Sequence, residues 1–187
     1  MRIVSYSMGM SADGFITDRE GGIGWTTPSA AVFQSSIDEI KDVGVHLMGR
    51  RLYETMLYWE SADQNPSLDA AEREWARLWS PLPKVVFSTT LTAVEGNARL
   101  ATASVAEEIA RLRAEPGEGE IAIGGATLAA EAAAHGLIDE YRVRLCPVLI
   151  GGGTPYFARN LPLQDLELVG TRTFDSGDLL LRYRVKR

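Results

Sequence analysis

Apolar and polar positions switch between two periods along the chain, and the order in which they do so predicts alternating strands and helices. Residues 2–10 read as a strand. Residues 29–42 place Ala30, Val32, Phe33, Ile37 and Ile40 at the spacing of an amphipathic helix. Val45, His46, Leu47 and Met48 form the next strand, Gly49 a turn, and Arg50 to Met56 the opening of a helix. A further helix over 70–79 carries Trp75 and Trp79 on one face, where they read as core or interface residues rather than cofactor contacts. Short strands at 84–88 and 98–100 lead to a helix over 104–114, with Ser104 and Glu107 spaced as a capping box. After the polar loop 115–119, the run Ile121-Ala122-Ile123 fits a strand covered on both faces. Gly124-Gly125 ends it, and a helix follows from Ala126 to His135, stopped by Gly136. Residues 141–150 form an apolar strand. The tail, 166–174 and 179–185 around Asp175-Ser176-Gly177-Asp178, predicts a β-hairpin. The long stretch left over, 11–28, is a Gly-rich loop holding Trp25, and so long a loop in a compact domain is expected to cover a site.

This order predicts an α/β fold of three layers, with a central mixed, mostly parallel sheet and a C-terminal antiparallel hairpin. Nothing marks a repeat or linker, so residues 1–187 are expected to form one domain. With 45% hydrophobic and 24% charged residues, a chain of 187 residues buries a full core. No run approaches the roughly 18 apolar residues of a membrane span, and the start lacks a basic-then-apolar secretory pattern. A cytoplasmic protein with no membrane partner is expected. The formal charge of −6 argues against nucleic acid, whose phosphates require a basic face. One cysteine, Cys146, cannot form an internal disulfide and reads as a small buried hydrophobe. His46 and His135 stand in no Cys/His cluster, so no metal site is expected.

Two strand-turn-helix junctions carry the candidate chemistry. Gly124-Gly125 lets an anion approach the main chain, and the first N–H groups of the following helix point back toward it; the alternative is a plain tight turn. Arg50 and Arg51 stand in the first turn of their helix, at its positive end, which calls for negative charge nearby. An Asp or Glu from elsewhere could supply it, or a phosphorylated ligand. Two such junctions suit one extended ligand with phosphates at both ends, a dinucleotide. Neither G-x-G-x-x-G nor G-x-x-x-x-G-K-[ST] follows any strand.

Four segments, in order, carry a resemblance: Met10-Ser11-Ala12-Asp13-Gly14-Phe15-Ile16; Met48-Gly49-Arg50-Arg51-Leu52-Tyr53-Glu54; Gly124-Gly125-Ala126-Thr127-Leu128; and Gly136-Leu137-Ile138-Asp139-Glu140 leading into Pro147-Val148-Leu149-Ile150-Gly151-Gly152-Gly153. With them the chain resembles the dihydrofolate reductase superfamily, in the branch of the C-terminal reductase domain of the bacterial riboflavin-biosynthesis protein. The resemblance implies a dihydrofolate reductase-like fold and an NADPH cofactor. On that analogy Gly49, Arg50, Arg51 and Leu52 surround the adenosine 2′-phosphate, and Ser88 and Thr89 lie beside the adenosine. Gly124, Gly125, Ala126, Thr127 and Leu128 surround the pyrophosphate, while Met10, Ala12 and Ile16 belong to the segment passing under the nicotinamide. Two arginines at a 2′-phosphate imply NADPH rather than NADH.

Folate-reducing relatives imply a carboxylate sixteen positions before Gly49, where this chain has Phe33, so a true dihydrofolate reductase is disfavoured. Asp38 and Glu39 read as residues of a solvated helix face. Asp13 is the candidate proton donor, with a turn-forming role as its alternative. The substrate is expected between the 11–28 loop and the helix at 29, roofed by Trp25 and lined by Phe33, Tyr53 and Trp59; Trp25 as a core plug is the other possibility. The function implied is reduction of a small heterocyclic, carbonyl or imine substrate, similar to 5-amino-6-(5-phosphoribosylamino)uracil reductase. Its alternatives are dihydrofolate reduction, reduction of an unrelated metabolite, and a non-enzymatic NADP-binding module. The apolar strand 141–150 and the hairpin after it suggest an exposed sheet edge and hence a homodimer.

Overall fold

The computed structural model describes residues 1–159 and 161–187, with Asp63 described by its backbone alone. In chain order the elements are β1 (Val4–Ser11), β2 (Phe15–Thr17), α1 (Ala30–Ile40), β3 (Val43–Gly49), α2 (Arg50–Met56), α3 (Ala70–Trp79), β4 (Lys84–Phe87) and β5 (Ala98–Leu100). They continue with α4 (Val105–Ala114), β6 (Glu120–Gly124), α5 (Ala126–Ala134), β7 (Glu140–Cys146), β8 (Thr154–Pro155), β9 (Leu166–Thr173) and β10 (Leu179–Val185). The main sheet has eight strands in the order β5-β4-β3-β6-β1-β7-β10-β9. Pairing is parallel from β5 through β7, and β10 and β9 add antiparallel.

Alternation along each strand sends side chains to two different layers. Val4, Tyr6, Val45, Leu47, Ile121 and Ile123 face α4 and α5, where Ile109, Leu112 and Ala132 complete a core. Met48 and Val86 face the other way, against Ile40, Tyr53 and Trp79 from α1, α2 and α3. The helix starts follow from local hydrogen bonding. Ser29 caps α1 by accepting from Val32 N, and Ser104 with Glu107 forms the expected capping box on α4. A second box, Asp69 with Glu72, starts α3.

Three features differ from the sequence reading. The 11–28 stretch is not one open loop: β2 pairs antiparallel with β8, and a 3-10 turn spans Gly24–Thr26. Strand β7 stops at Cys146 rather than continuing to 150, because Pro147 has no N–H for a further ladder bond. Nor is β7 an apolar edge. It lies between β1 and β10, and Glu140, Arg142 and Arg144 alternate along its α1-facing side.

Those charges are tolerated because they are paired. Buried Arg142 holds both oxygens of buried Glu120 at 2.6 and 2.7 Å and reaches Glu140 at 2.6 Å and Glu39 at 3.5 Å. The two strand carboxylates shift in opposite directions. Burial dominates at Glu120 and raises its pKa, whereas at Glu140 burial is outweighed by hydrogen bonds from both Arg142 and Arg182, and the pKa falls.

Candidate active site

Because β3, β4, β6 and β1 run parallel, their carboxyl ends lie along one edge of the sheet, where open α/β sheets bind ligands. Both glycine junctions are there, on neighbouring strands, with Met48 opposite Gly124 in the β3–β6 register. Gly124 is where they touch: a Cβ on it would stand 2.2 Å from Leu52 Cδ2 and 2.7 Å from His46 Cε1. Gly125 has φ 92°, and a Cβ there would meet nothing within 4 Å. No side chain caps α5, so its first N–H groups open onto that space. This geometry fits a phosphate held by main-chain donors. Ala126 and Leu128 point into the core and Thr127 is exposed.

At the second junction Arg50 and Arg51 are both exposed. Arg50 has a carboxylate partner one turn on, Glu54 at 3.0 Å, so part of the positive charge at this helix start is already neutralised within the chain. Ser88 turns its hydroxyl to the N–H groups of Thr90 and Leu91 at 3.1 and 3.0 Å, beside exposed Thr89. At the end of β1, Ala12 is exposed and donates to Val148 O at 2.8 Å, while Met10 and Ile16 pack into the core.

Between α1 and the sheet lies a cavity of about 320 Å³. Val32, Ser36 and Glu39 of α1 form one wall, and Ser7 and Gly9 of β1 another. Trp75 and Trp79 close a third side, their rings stacked at 5.9 Å and 12°. His46 and Arg144 also reach it. His46 stands edge-on to Trp79, and burial drives its pKa from 6.5 down to about 4, so the ring is neutral.

Residues 2–180 match the family described as the RibD C-terminal domain. The chain belongs to the RibD C-terminal domain family. This family member is 28% identical over 182 residues to the uncharacterized protein YyaP of Bacillus subtilis (strain 168), across 97% of this chain and 94% of that protein. A protein of Shewanella sp. PV-4 assigned to riboflavin biosynthesis superposes with a TM-score of 0.77 at 24% identity over 100% of both chains. Dihydrofolate reductase from Enterococcus faecalis, solved with NADP(H) and RAB-propyl, superposes with a TM-score of 0.62 at 17% identity, over 99% of this chain and 97% of that one. The fold of this RibD C-terminal domain is thus dihydrofolate reductase-like.

Within that fold the cavity has different walls from those expected. Phe33 turns away from it and packs on Trp59 and Trp75, with ring centroids 6.3 and 5.8 Å apart. Trp59 sits in the same aromatic cluster beside Tyr58. Tyr53 is buried, and its hydroxyl accepts from Glu95 N at 2.6 Å, on the way to β5. Trp25 borders a separate depression with Pro147 and Asp178. Asp13 is a turn anchor: its carboxylate accepts from Gly151 N at 2.7 Å and Ile150 N at 3.2 Å. The Ser11 hydroxyl first, opposed by burial and then helped by these N–H groups, holds its pKa below the ordinary value. A carboxyl that favours its ionised form is a poor proton donor near neutrality.

Of the residues that do line the cavity, Val32, Ser36 and Glu39 recur at helical spacing, one face round from Phe33, whereas Arg144 is the one residue of β7 that reaches it. Among the described residues no group of three or more His, Cys, Asp or Glu is placed to hold a metal ion, and no helix is long and apolar enough to cross a membrane.

Proposed function

We propose that the chain is an NADPH-dependent reductase that delivers hydride to a small heterocyclic, carbonyl or imine substrate, by a reaction of the riboflavin-pathway type. The observation that carries this reading is the adjacency of two glycine junctions on neighbouring strands, opening on the sheet edge next to an aromatic-walled cavity. Gly125 and the first turn of α5 would hold the pyrophosphate, and Arg50 with Arg51 the 2′-phosphate. The similar fold of Enterococcus faecalis dihydrofolate reductase was solved with NADP(H), which supports a cofactor of that class. The bound dinucleotide would supply the hydride.

The chain's own residues have the remaining tasks of positioning and desolvation. Val32, Trp75 and Trp79 offer apolar walls for a planar ring. Among the described residues lining the cavity, Glu39 is the one carboxylate, and Arg142 pairs with it at 3.5 Å. Neutral His46 gives a wall without charge. A cavity of this kind supports a reductase over a module that only binds the dinucleotide, which has no use for a second pocket.

Protein fluorescence titrated with NADPH and with NADH tests the reading. NADPH should bind more tightly by roughly one to two decades, the worth of about 1.5–3 kcal/mol from a charge-assisted phosphate contact. The Arg50→Ala/Arg51→Ala double variant should lose that preference. Equal affinities that the double variant leaves unchanged would remove the 2′-phosphate site, and no binding of either dinucleotide would remove the reductase.

A further inference from the structure

We infer that Arg144, lying over Gly9, is a subsite for an anionic oxygen on the substrate, which makes the substrate a small planar ring bearing a carboxylate or an ionised ring-oxo group. The inference rests on the reductase reading for its context and on the following geometry for its content.

Gly9 and Arg144 are register partners on β1 and β7, and both line the cavity. A Cβ on Gly9 would come within 2.7 Å of Arg144 Nη2 and 3.3 Å of its Nε, so the missing side chain is what lets the guanidinium lie across the strand. One donor, Nη2, is used on Thr26 O at 2.9 Å, which fixes the plane. Among the described residues, no carboxylate makes a salt bridge to Arg144. Its strand neighbour two residues back shows the contrast: Arg142 is held by Glu39, Glu120 and Glu140 together. Those carboxylates are committed to Arg142, and Glu140 also to Arg182.

A half-buried guanidinium with donors to spare and a rigid anchor is suited to a planar oxyanion, because its fork matches two oxygens of a carboxylate or of a delocalised ring. Apolar walls on the opposite side favour the flat body of such a molecule. Gly9 immediately precedes Met10 at the carboxyl end of β1, so an oxygen held there stands toward the sheet edge that carries both glycine junctions.

Benzoate and barbiturate, with neutral benzyl alcohol as control, are suitable probes at pH 7, read through the fluorescence of Trp75 and Trp79 in the cavity wall. At least one anion should bind about tenfold or more tightly than benzyl alcohol. Benzoate alone would assign the carboxylate, and barbiturate alone the ring-oxo group. Arg144→Gln should erase the preference while leaving benzyl alcohol affinity, melting temperature and NADPH affinity near those of the parent. If Arg144→Gln does not fold, Gly9→Ala serves in its place: its methyl displaces the guanidinium, a flexible neighbour, and should weaken anion binding alone. No anion preference in the parent protein, or a preference that survives both substitutions, overturns the subsite. NADPH binding without anion preference removes the subsite and leaves the reductase standing. Anion preference without NADPH binding removes the reductase and leaves the subsite.

Discussion

His46 is a neutral side chain in a place that disfavours its charged form. Its half-buried ring stands edge-on to Trp79, Nδ1 is out of solvent with no partner among the described residues, and the pKa lies near 4 against 6.5 for the free group. The pH consequence has a definite sign. Above 6.5 both folded and unfolded chains carry the neutral ring, and stability is at its full value; below 6.5 the unfolded chain takes up a proton that the folded chain refuses until about 4. Stability therefore falls across that window, by about 3 kcal/mol at pH 4 from this residue. Urea midpoints measured between pH 7 and pH 4.5 should drop steadily for the parent protein and much less for His46→Gln. Parallel profiles would mean that the folded chain protonates His46 as readily as the unfolded chain does. At this scale the sequence was least legible. Counting back from Gly49 led to Phe33, yet Val32, Ser36 and Glu39 on the neighbouring stripe of α1 line the cavity, because only packing decides which way the helix faces. Arg144 was hidden for the same reason, since alternation shows which residues share a face of β7 but not what covers that face.

Elements with local causes were read correctly. The Ser104–Glu107 box fixes the start of α4, the Gly124-Gly125 break separates β6 from α5, and the two strands of the C-terminal hairpin lie where the pattern put them. Elements with distant causes were missed. Strand β2 spans three residues and β8 two, and they exist only because each finds the other across more than half the chain. Gly125 gives the sharpest element-level prediction. At φ 92° an alanine strains the backbone by about 1–3 kcal/mol, and its methyl projects into the space where a phosphate would lie. Gly125→Ala should lower the urea midpoint and weaken NADPH tenfold or more. Gly136→Ala, with φ 64° at the other end of α5, should lower stability but leave NADPH affinity intact. Equal effects of the two substitutions on NADPH would argue against a phosphate at the β6–α5 junction.

Taken whole, the sheet has two unlike margins. On one side β5 is three residues long and offers little to pair with. On the other, β9 is eight residues long and presents Leu168 at 52% and Val169 at 37% exposure. Of the strand 141–150 and the hairpin after it, both expected to leave an open edge, β7 is interior and the hairpin strand β9 forms the margin. We propose that two chains associate through β9; light scattering at micromolar concentration should give about twice the chain mass of 20.4 kDa, and a Leu168→Lys/Val169→Lys variant should return the single-chain value. A parent protein that already scatters at 20.4 kDa would rule the association out. The layered fold was legible because it rests on many positions at once, whereas the identity of its margins depends on strand order, which periodicity does not encode. That strand order also imposes a timetable. Tyr6 of β1 has Ile123 on one flank and Tyr141 on the other, so a strand synthesised early must wait for both of its neighbours to be translated. Until residues 120–146 have left the ribosome, β1 is a ribbon with two open sides, and a nascent chain halted before that point holds the middle of the sheet with nothing to close it.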